Sequence, residues 1–187
     1  MTNRLAPVLA AGGLAAATTA VVRRMERDYD THDVLRPSTV AAMYGTYAIH
    51  SAAVTWAATR RIWPISAPPE PAIAVGSALT AAGTLVSLAG MGAFDSAAQL
   101  TGTESGSLHV SGIYRYTRNP QYLGISAALA GLAIATRSAY AALLAVGVTV
   151  TYRRWIPVEE RHLSRMFGDT FARYTDRTHR WLGTSRA

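Results

Sequence analysis

Long apolar runs alternate with short charged or proline-marked breaks along this chain of 187 residues. The first run, Leu5–Val22, follows Arg4 and is 18 residues long. A signal-peptide core holds about 7–15 apolar residues, and further apolar spans follow, so the run is predicted as a first transmembrane helix and not a cleaved leader. Gly12 and Gly13 would weaken a soluble helix but permit close helix contact in lipid. A charged connector, Arg23 to Arg36, comes next with four arginines and four acidic residues. Pro37-Ser38 opens a second span, Ser38–Thr59. Arg60-Arg61 and Trp63-Pro64 close it with residue types favoured at a membrane interface. Pro68, Pro69 and Pro71 mark a tight connector before a third span, Ala72–Phe94. There Gly76, Thr80 and Thr84 recur every four positions, as do Gly83 and Ser87, which predicts a helix-packing seam.

Asp95–Ser111 is polar and rich in Gly, Ser and Thr. It is predicted as a loop with room for a short interfacial helix, Asp95 and Glu104 being solvated. Beyond it lie two short apolar runs, Tyr122–Thr136 and Ala139–Tyr152, of 15 and 14 residues. Each would reach about 21–22 Å as a helix, short of the roughly 30 Å hydrocarbon core. They are predicted as a helical hairpin with its turn at Arg137-Ser138, Arg137 snorkelling outward and Gly124, Gly131 and Gly147 letting the arms pack. The tail, Arg153–Ala187, places Leu163, Met166, Phe167, Phe171 and Tyr174 at helical spacing. Pro157 suits the start of a separate amphipathic helix on the membrane surface. The pattern predicts an all-α integral membrane protein: about five transmembrane helices, then a C-terminal amphipathic helix, in a single domain over 1–187.

Composition supports this reading. Half of the residues are hydrophobic and 16% are charged, against about 25% charged in soluble domains. No cysteine is present, which excludes disulfides and thiolate chemistry. The net charge is +7 and every basic residue is arginine. These arginines flank apolar runs, so cytoplasmic loops and anionic headgroups explain them without nucleic acid. With five spans and the C-terminus inside, fourteen of the eighteen arginines fall on the inner side. The bias predicts a multi-pass protein with its N-terminus outside. The Ala- and Arg-rich composition suits a bacterial inner membrane.

Candidate chemistry concentrates in Gly112–Gly124, a basic and aromatic stretch that turns directly into apolar sequence. Arg118 offers a planar fork of donors for a carboxylate or phosphate. Pro120 biases Asn119 away from helix and fits the first turn of a new one. The free amides behind it favour an anionic group. Tyr114, Tyr116 and Tyr122 suit stacking on a base or covering a sulfonium. The same features also describe an ordinary positive-inside loop with interfacial tyrosines. Glu159 and Glu160 lie just past the other arm of the hairpin. They either pair with Arg118 or Arg153, hold a ligand's ammonium group, or form a solvated acidic pair at a helix start. His50 sits mid-span and is predicted neutral, bonded to a neighbouring helix. His109, His162 and His179 show no metal-ligand spacing, and no metal is expected.

Read in order, Gly112-Ile113-Tyr114, Arg118-Asn119-Pro120-Gln121-Tyr122-Leu123-Gly124, Glu159-Glu160-Arg161-His162-Leu163, Phe167-Gly168 and Phe171-Ala172-Arg173-Tyr174 resemble the isoprenylcysteine carboxyl methyltransferases and the related phospholipid methyltransferases. The resemblance covers Leu108–Leu182, leaving 1–107 as helical spans of unassigned role. It implies S-adenosylmethionine as cofactor and a lipophilic, membrane-embedded acceptor. It also implies catalytic roles for Arg118, Glu159 and Glu160, and cofactor contacts for Tyr114, Arg118, Asn119, Pro120, Tyr122, Gly124 and Glu159. Asn119 departs from the family's usual His. Asn keeps a hydrogen bond but takes up no proton near neutral pH. Two other readings share these features: a membrane reductase of the sterol-reductase type using NAD(P)H, and a non-catalytic membrane protein that retains the fold.

Overall fold

The computed structural model describes residues 5–104 and 106–183; Arg4 and Arg186 of the arginine tally lie outside them. The described residues are helical, with no strand among them. Five long helices, α1 (Leu5–His32), α2 (Pro37–Thr59), α3 (Pro69–Met91), α5 (Pro120–Thr136) and α6 (Ala139–Phe167), are joined by two short ones, α4 (Ala97–Thr101) and α7 (Asp169–Arg177). Pro37, Pro69 and Pro120 each sit at a helix start, where the missing N–H loses no bond. By length and apolar character, α1 and α3 suffice to cross a membrane, and α5 is a shorter apolar helix of 17 residues.

The glycine repeat organises the tightest contact. α3 and α5 pack along their length. A Cβ on Gly83 would stand 2.5 Å from the Ala128 nitrogen and 2.6 Å from the Gly124 oxygen. Gly76 meets Gly131 and Ala135 in the same way, and Gly90 meets Pro120 and Gln121. Thr80 donates to the Gly76 carbonyl at 2.8 Å and reaches the Ala128 carbonyl at 3.3 Å. Two expectations change here. Gly124 and Gly131 serve α3 and not the α5–α6 hairpin, and Gly147 faces open space. The working repeat is therefore seven residues (Gly76, Gly83, Gly90), with Thr84 exposed. Gly83→Ala is expected to lower stability by about 2 kcal/mol through overpacking, read as a fall in melting temperature in detergent.

The charged connector after Val22 is mostly helix. α1 continues to His32 and stops where Asp33 takes a φ of 57°. Its extension has a partner: α6 does not end at Tyr152 but runs 29 residues, through Pro157, about 43 Å in all. Pro157 deprives the Arg153 carbonyl of its usual donor. The helix continues because its flanks are locked: Trp155 and Val158 pack with Met25, Tyr29, Leu35 and Met43, and Ile156 packs with Val148 and Tyr152. Salt bridges join the two extensions, Glu26 to Arg161 and Asp30 to Arg165 (3.0 Å). Pro157 is thus inside α6, and the separate amphipathic helix is α7, starting after Gly168.

Asp28 is fully buried at this junction. Its carboxylate accepts the Arg36 backbone N–H at 3.1 Å and Nε at 2.8 Å. Burial pushes the carboxyl up, but the nearby Thr39 hydroxyl, the two bonds from Arg36 and the Arg36 charge outweigh it and hold the group below its ordinary value. A depressed carboxyl stabilises the fold above its unfolded pKa, and that contribution fades as pH falls through the folded one. Asp28→Ala should therefore lose about 1 kcal/mol or more at neutral pH. The gap in melting temperature to the parent should narrow below about pH 4.

At the opposite end the α5–α6 turn meets the α2–α3 connector. Arg137 takes the left-handed conformation (φ 55°, ψ 44°) and Ser138 caps α6 by accepting from the Ala141 N–H. The Ser138 hydroxyl reaches the Ile62 carbonyl at 2.7 Å. Arg137 does not simply snorkel outward: its Nη1 donates to the Ala67 carbonyl at 3.0 Å and ties the turn to the connector. His50 differs as well. Its Nδ1 lies 3.2 Å from the Thr46 carbonyl of its own helix, not from a neighbouring one.

Candidate active site

The polar stretch before α5 is folded by its contacts with the tail. Ser111–Arg118 passes through a 3₁₀ turn at Gly112–Arg115, where Gly112 supplies a φ of +58°. Tyr114 is buried there. Its hydroxyl donates to the Gly90 carbonyl (3.2 Å) and accepts from Gln121 Nε2 (3.2 Å), while Tyr174 of α7 donates to the Tyr114 carbonyl (2.8 Å). The next residues zip to the segment after α7. The Arg118 N–H donates to the His179 carbonyl (3.0 Å), and Thr117 Oγ1 (3.3 Å) and Asn119 Nδ2 (2.9 Å) both donate to the Arg180 carbonyl. Asn119 occupies the N-cap position of α5 without capping it; its side chain holds the tail instead.

Two carboxylates meet this loop from α6. Glu160 Oε1 accepts from Arg118 Nη2 at 2.7 Å and from Nε at 3.1 Å. Arg180 closes on the other oxygen, its Nε 3.1 Å from Oε2 and its Nη2 also paired there. Arg118 further donates to the Thr178 carbonyl at 2.5 Å. The fork that would suit a ligand carboxylate is thus engaged within the protein. Glu159 is placed differently. Tyr122 donates to its Oε1 at 2.8 Å, and Trp155 Nε1 donates to the Tyr122 hydroxyl at 2.7 Å. Burial pushes the Glu159 carboxyl up to about 7; the bond from Tyr122 and the nearby Trp155 N–H oppose the rise, and the Glu160 charge adds to it.

These groups line one cavity of about 330 Å³. Tyr114, Arg118, Asn119, Pro120, Tyr122, Glu159 and Glu160 all border it. Gly124 does not: it lies in the α3 seam, with Gly83 and Ser87 against it. Its sequence-predicted cofactor contact therefore becomes a packing role. The remaining walls combine apolar and aromatic residues, among them Met25, Leu35, Met43, Tyr47 and Trp155, with polar ones, among them Asp33, Gln99, His109 and His162. Tyr29 stacks on His162 (ring centroids 4.2 Å apart) and on Trp155 (5.8 Å).

Sequence reasoning missed Arg180, Trp155, Tyr29 and Tyr47. Trp155 had a local signal, since it stands four residues before Glu159 on the same helix face. Arg180, Tyr29 and Tyr47 reach the site only through the tertiary fold.

A family model for phospholipid methyltransferases matches residues 71–170, more than half of the chain. The chain belongs to the phospholipid methyltransferase family. No similar protein among curated ones and no similar solved structure was found. The match runs from α3 into α7 and contains Arg118, Tyr122, Glu159 and Glu160. Membership points to methyltransferase activity on lipid-like substrates, and the apolar helices α1 and α3 fit a membrane protein. α1 and α2, which supply Met25, Tyr29, Met43 and Tyr47 to the cavity, lie outside the match.

Proposed function

We propose that the chain transfers a methyl group from S-adenosylmethionine to a lipophilic acceptor held in the membrane. The carrying observation is Glu159: a largely buried carboxylate, bonded by Tyr122, in a cavity whose lining is rich in apolar and aromatic side chains. Such a carboxylate among Tyr29, Tyr47, Tyr122 and Trp155 suits a cation, which the ring faces also attract. S-adenosylmethionine, when bound, supplies a methyl group already activated on a cationic sulfur. Glu159 balances that positive charge, and the apolar walls exclude water and raise the value of the pairing. Glu160 and Arg118 act by positioning, since they fix the loop to the tail. An amine acceptor must lose a proton, which Glu159 is placed to receive; a carboxylate acceptor needs no base.

In this reading five helices cross the membrane, with α2, α5 and α6 joining α1 and α3. The arginine-rich ends support a cavity on the cytoplasmic side, in a bacterial inner membrane. The acceptor reaches the cavity sideways from the bilayer, where its hydrocarbon chain stays.

Titration calorimetry on the purified chain in detergent tests the reading. S-adenosylmethionine should bind, and Tyr122→Ala should weaken it about tenfold by removing the bond that orients Glu159. No heat of binding, or an affinity indifferent to Tyr122→Ala in a variant that still melts cooperatively, defeats the proposal.

A further inference from the structure

A second cavity, of about 520 Å³, runs between α5 and α6 and shares no lining residue with the one that holds Glu159. Its size falls within the roughly 300–1,000 Å³ of ligand pockets. The spacing of small residues sets it up. Ser126, Ala130, Ala133 and Arg137 form one stripe of α5, and Ala142, Ala145, Thr149 and Arg153 one stripe of α6, both at intervals of three or four. These short side chains leave the space between the helices open, and the glycines of α5 are spent on α3. Ala133 and Ala145 form a buried floor, while Ile134, Val146 and Val150 stand exposed at the rim. Thr149 turns its hydroxyl to the Ala145 carbonyl (3.0 Å), so it brings no free donor to the groove. Apart from Ser126, Thr149 and the two arginines, every lining residue is Ala, Val or Ile.

The arginines stand at opposite ends. Arg137 sits in the α5–α6 turn and gives Nη1 to the Ala67 carbonyl. Arg153 lies 11 positions beyond Ala142 on α6, about 17 Å along the axis. One leaflet, half of the hydrocarbon core, is about 15 Å deep. Arg153 is exposed, and among the described residues it has no hydrogen-bond or ion-pair partner. No acidic residue lines the groove. An apolar trough as deep as a leaflet, with an unpaired guanidinium at its mouth, matches a lipid with a phosphate head and net negative charge. The hydrocarbon lies along alanine and valine, and the phosphodiester meets the fork of donors. A zwitterionic head brings the same phosphate, but its ammonium finds no carboxylate here. A helix from a second copy, about 10–12 Å across, suits the groove less. Close helix contact in lipid needs small residues at the rim, where Ile134, Val146 and Val150 stand.

We propose that the groove between α5 and α6 holds one chain of an anionic phospholipid, its phosphate on Arg153, as a resident lipid distinct from the methyl acceptor. Filling the trough braces α6 against α5, and α6 carries Glu159 six positions past Arg153. The inference rests on α5 and α6 lying in the membrane and is independent of the identity of the methyl donor.

The test is native mass spectrometry of the full chain in detergent, titrated with phosphatidylglycerol or with phosphatidylcholine of the same chains. The first phosphatidylglycerol should bind about fivefold tighter than the first phosphatidylcholine. Arg153→Gln should erase that preference. Arg154→Gln removes an equal charge from a neighbour outside the lining and should keep it. Ala130→Leu fills the trough and should weaken both lipids. Equal affinity for the two lipids in the parent overturns the proposal. So does a preference that Arg154→Gln removes as fully as Arg153→Gln, which is attraction to surface charge at large. Lipid binding unchanged by Ala130→Leu places the lipid elsewhere, and a dimer that forms only without lipid gives the groove to a second copy; either result overturns it too. The parent comparison and the exposed Arg153→Gln change decide the matter even if Ala130→Leu prevents folding.

Discussion

Replacing Glu160 with alanine should release the tail from the loop and cost about 3 kcal/mol of stability. Its carboxylate is shared by two guanidiniums, and the Glu160 and Arg118 side chains are only 14% and 12% exposed. Removing it leaves Arg118 as a nearly buried cation with two backbone carbonyls for company. The loss falls at the low end for a broken buried pair because Arg180 is 44% exposed and can turn to water. The damage should be local in origin. α7 and the segment through His179 should exchange their amides faster, and Thr117–Pro120 should follow, because the bonds between His179, Arg180 and this loop form one zipper. Glu160→Gln keeps an acceptor and loses the charge, so it should fall between parent and alanine. Hydrogen exchange with mass spectrometry reads this order directly. Unchanged protection of residues 169–183 in Glu160→Ala would show that the ion pairs hold nothing in place.

Much of this arrangement was legible in the chain before any coordinates. The helix starts at Pro37 and Pro120 follow from what proline cannot do. The small-residue face of α3 follows from what two helices need in order to touch in lipid. The meeting of Arg118 with a carboxylate of the Glu159-Glu160 pair follows from a hairpin that brings its polar ends together. The failures have a common cause. Residues 23–36 read as a connector because alternating charges look solvated, yet Glu26 and Asp30 pair with Arg161 and Arg165 more than 130 positions away. The same partnership carries α6 through Pro157, which by local rules starts a helix and does not sit within one. Gly124 reads as a cofactor contact from its place in a motif. Its real neighbour, Gly83, lies on a helix the motif does not include. Local patterns therefore gave the elements, and the partners required the fold.

Asn119 changes most in meaning. Where the resembling family commonly has His, the concern is a missing proton acceptor. Here the side chain spends its amide on the Arg180 carbonyl at 2.9 Å. A neutral imidazole with an N–H can make that same bond. The departure is then compatible with an unchanged reaction, because the position works by holding the tail, and the titrating carboxyl nearby is Glu159.

Glu159→Gln should weaken S-adenosylmethionine binding by on the order of a hundredfold, a larger loss than from any other single change at the cavity. The loss follows from removing the counter-charge of a cation in a water-poor site, while the isosteric amide still accepts from Tyr122. The parent's affinity should also depend on pH with a definite sign. The Glu159 carboxyl is raised to about 7, chiefly by burial. In the free protein burial favours its neutral form, so its contribution to stability is complete below the unfolded value near 4.5 and is lost as pH rises through about 7. Binding a sulfonium requires the ionised form and therefore runs the other way, strengthening as pH rises through the same range. The ratio of S-adenosylmethionine to S-adenosylhomocysteine affinity isolates this effect, since both ligands carry the same amino acid and nucleoside and only one carries the charged sulfur. Between about pH 5.5 and 8 the ratio should climb about thirtyfold in the parent and stay flat in Glu159→Gln. A ratio that climbs equally in both proteins would assign the titration to another group. A flat ratio in the parent would remove Glu159 from the recognition of charge, and with it the reason for placing the sulfonium at this end of the cavity.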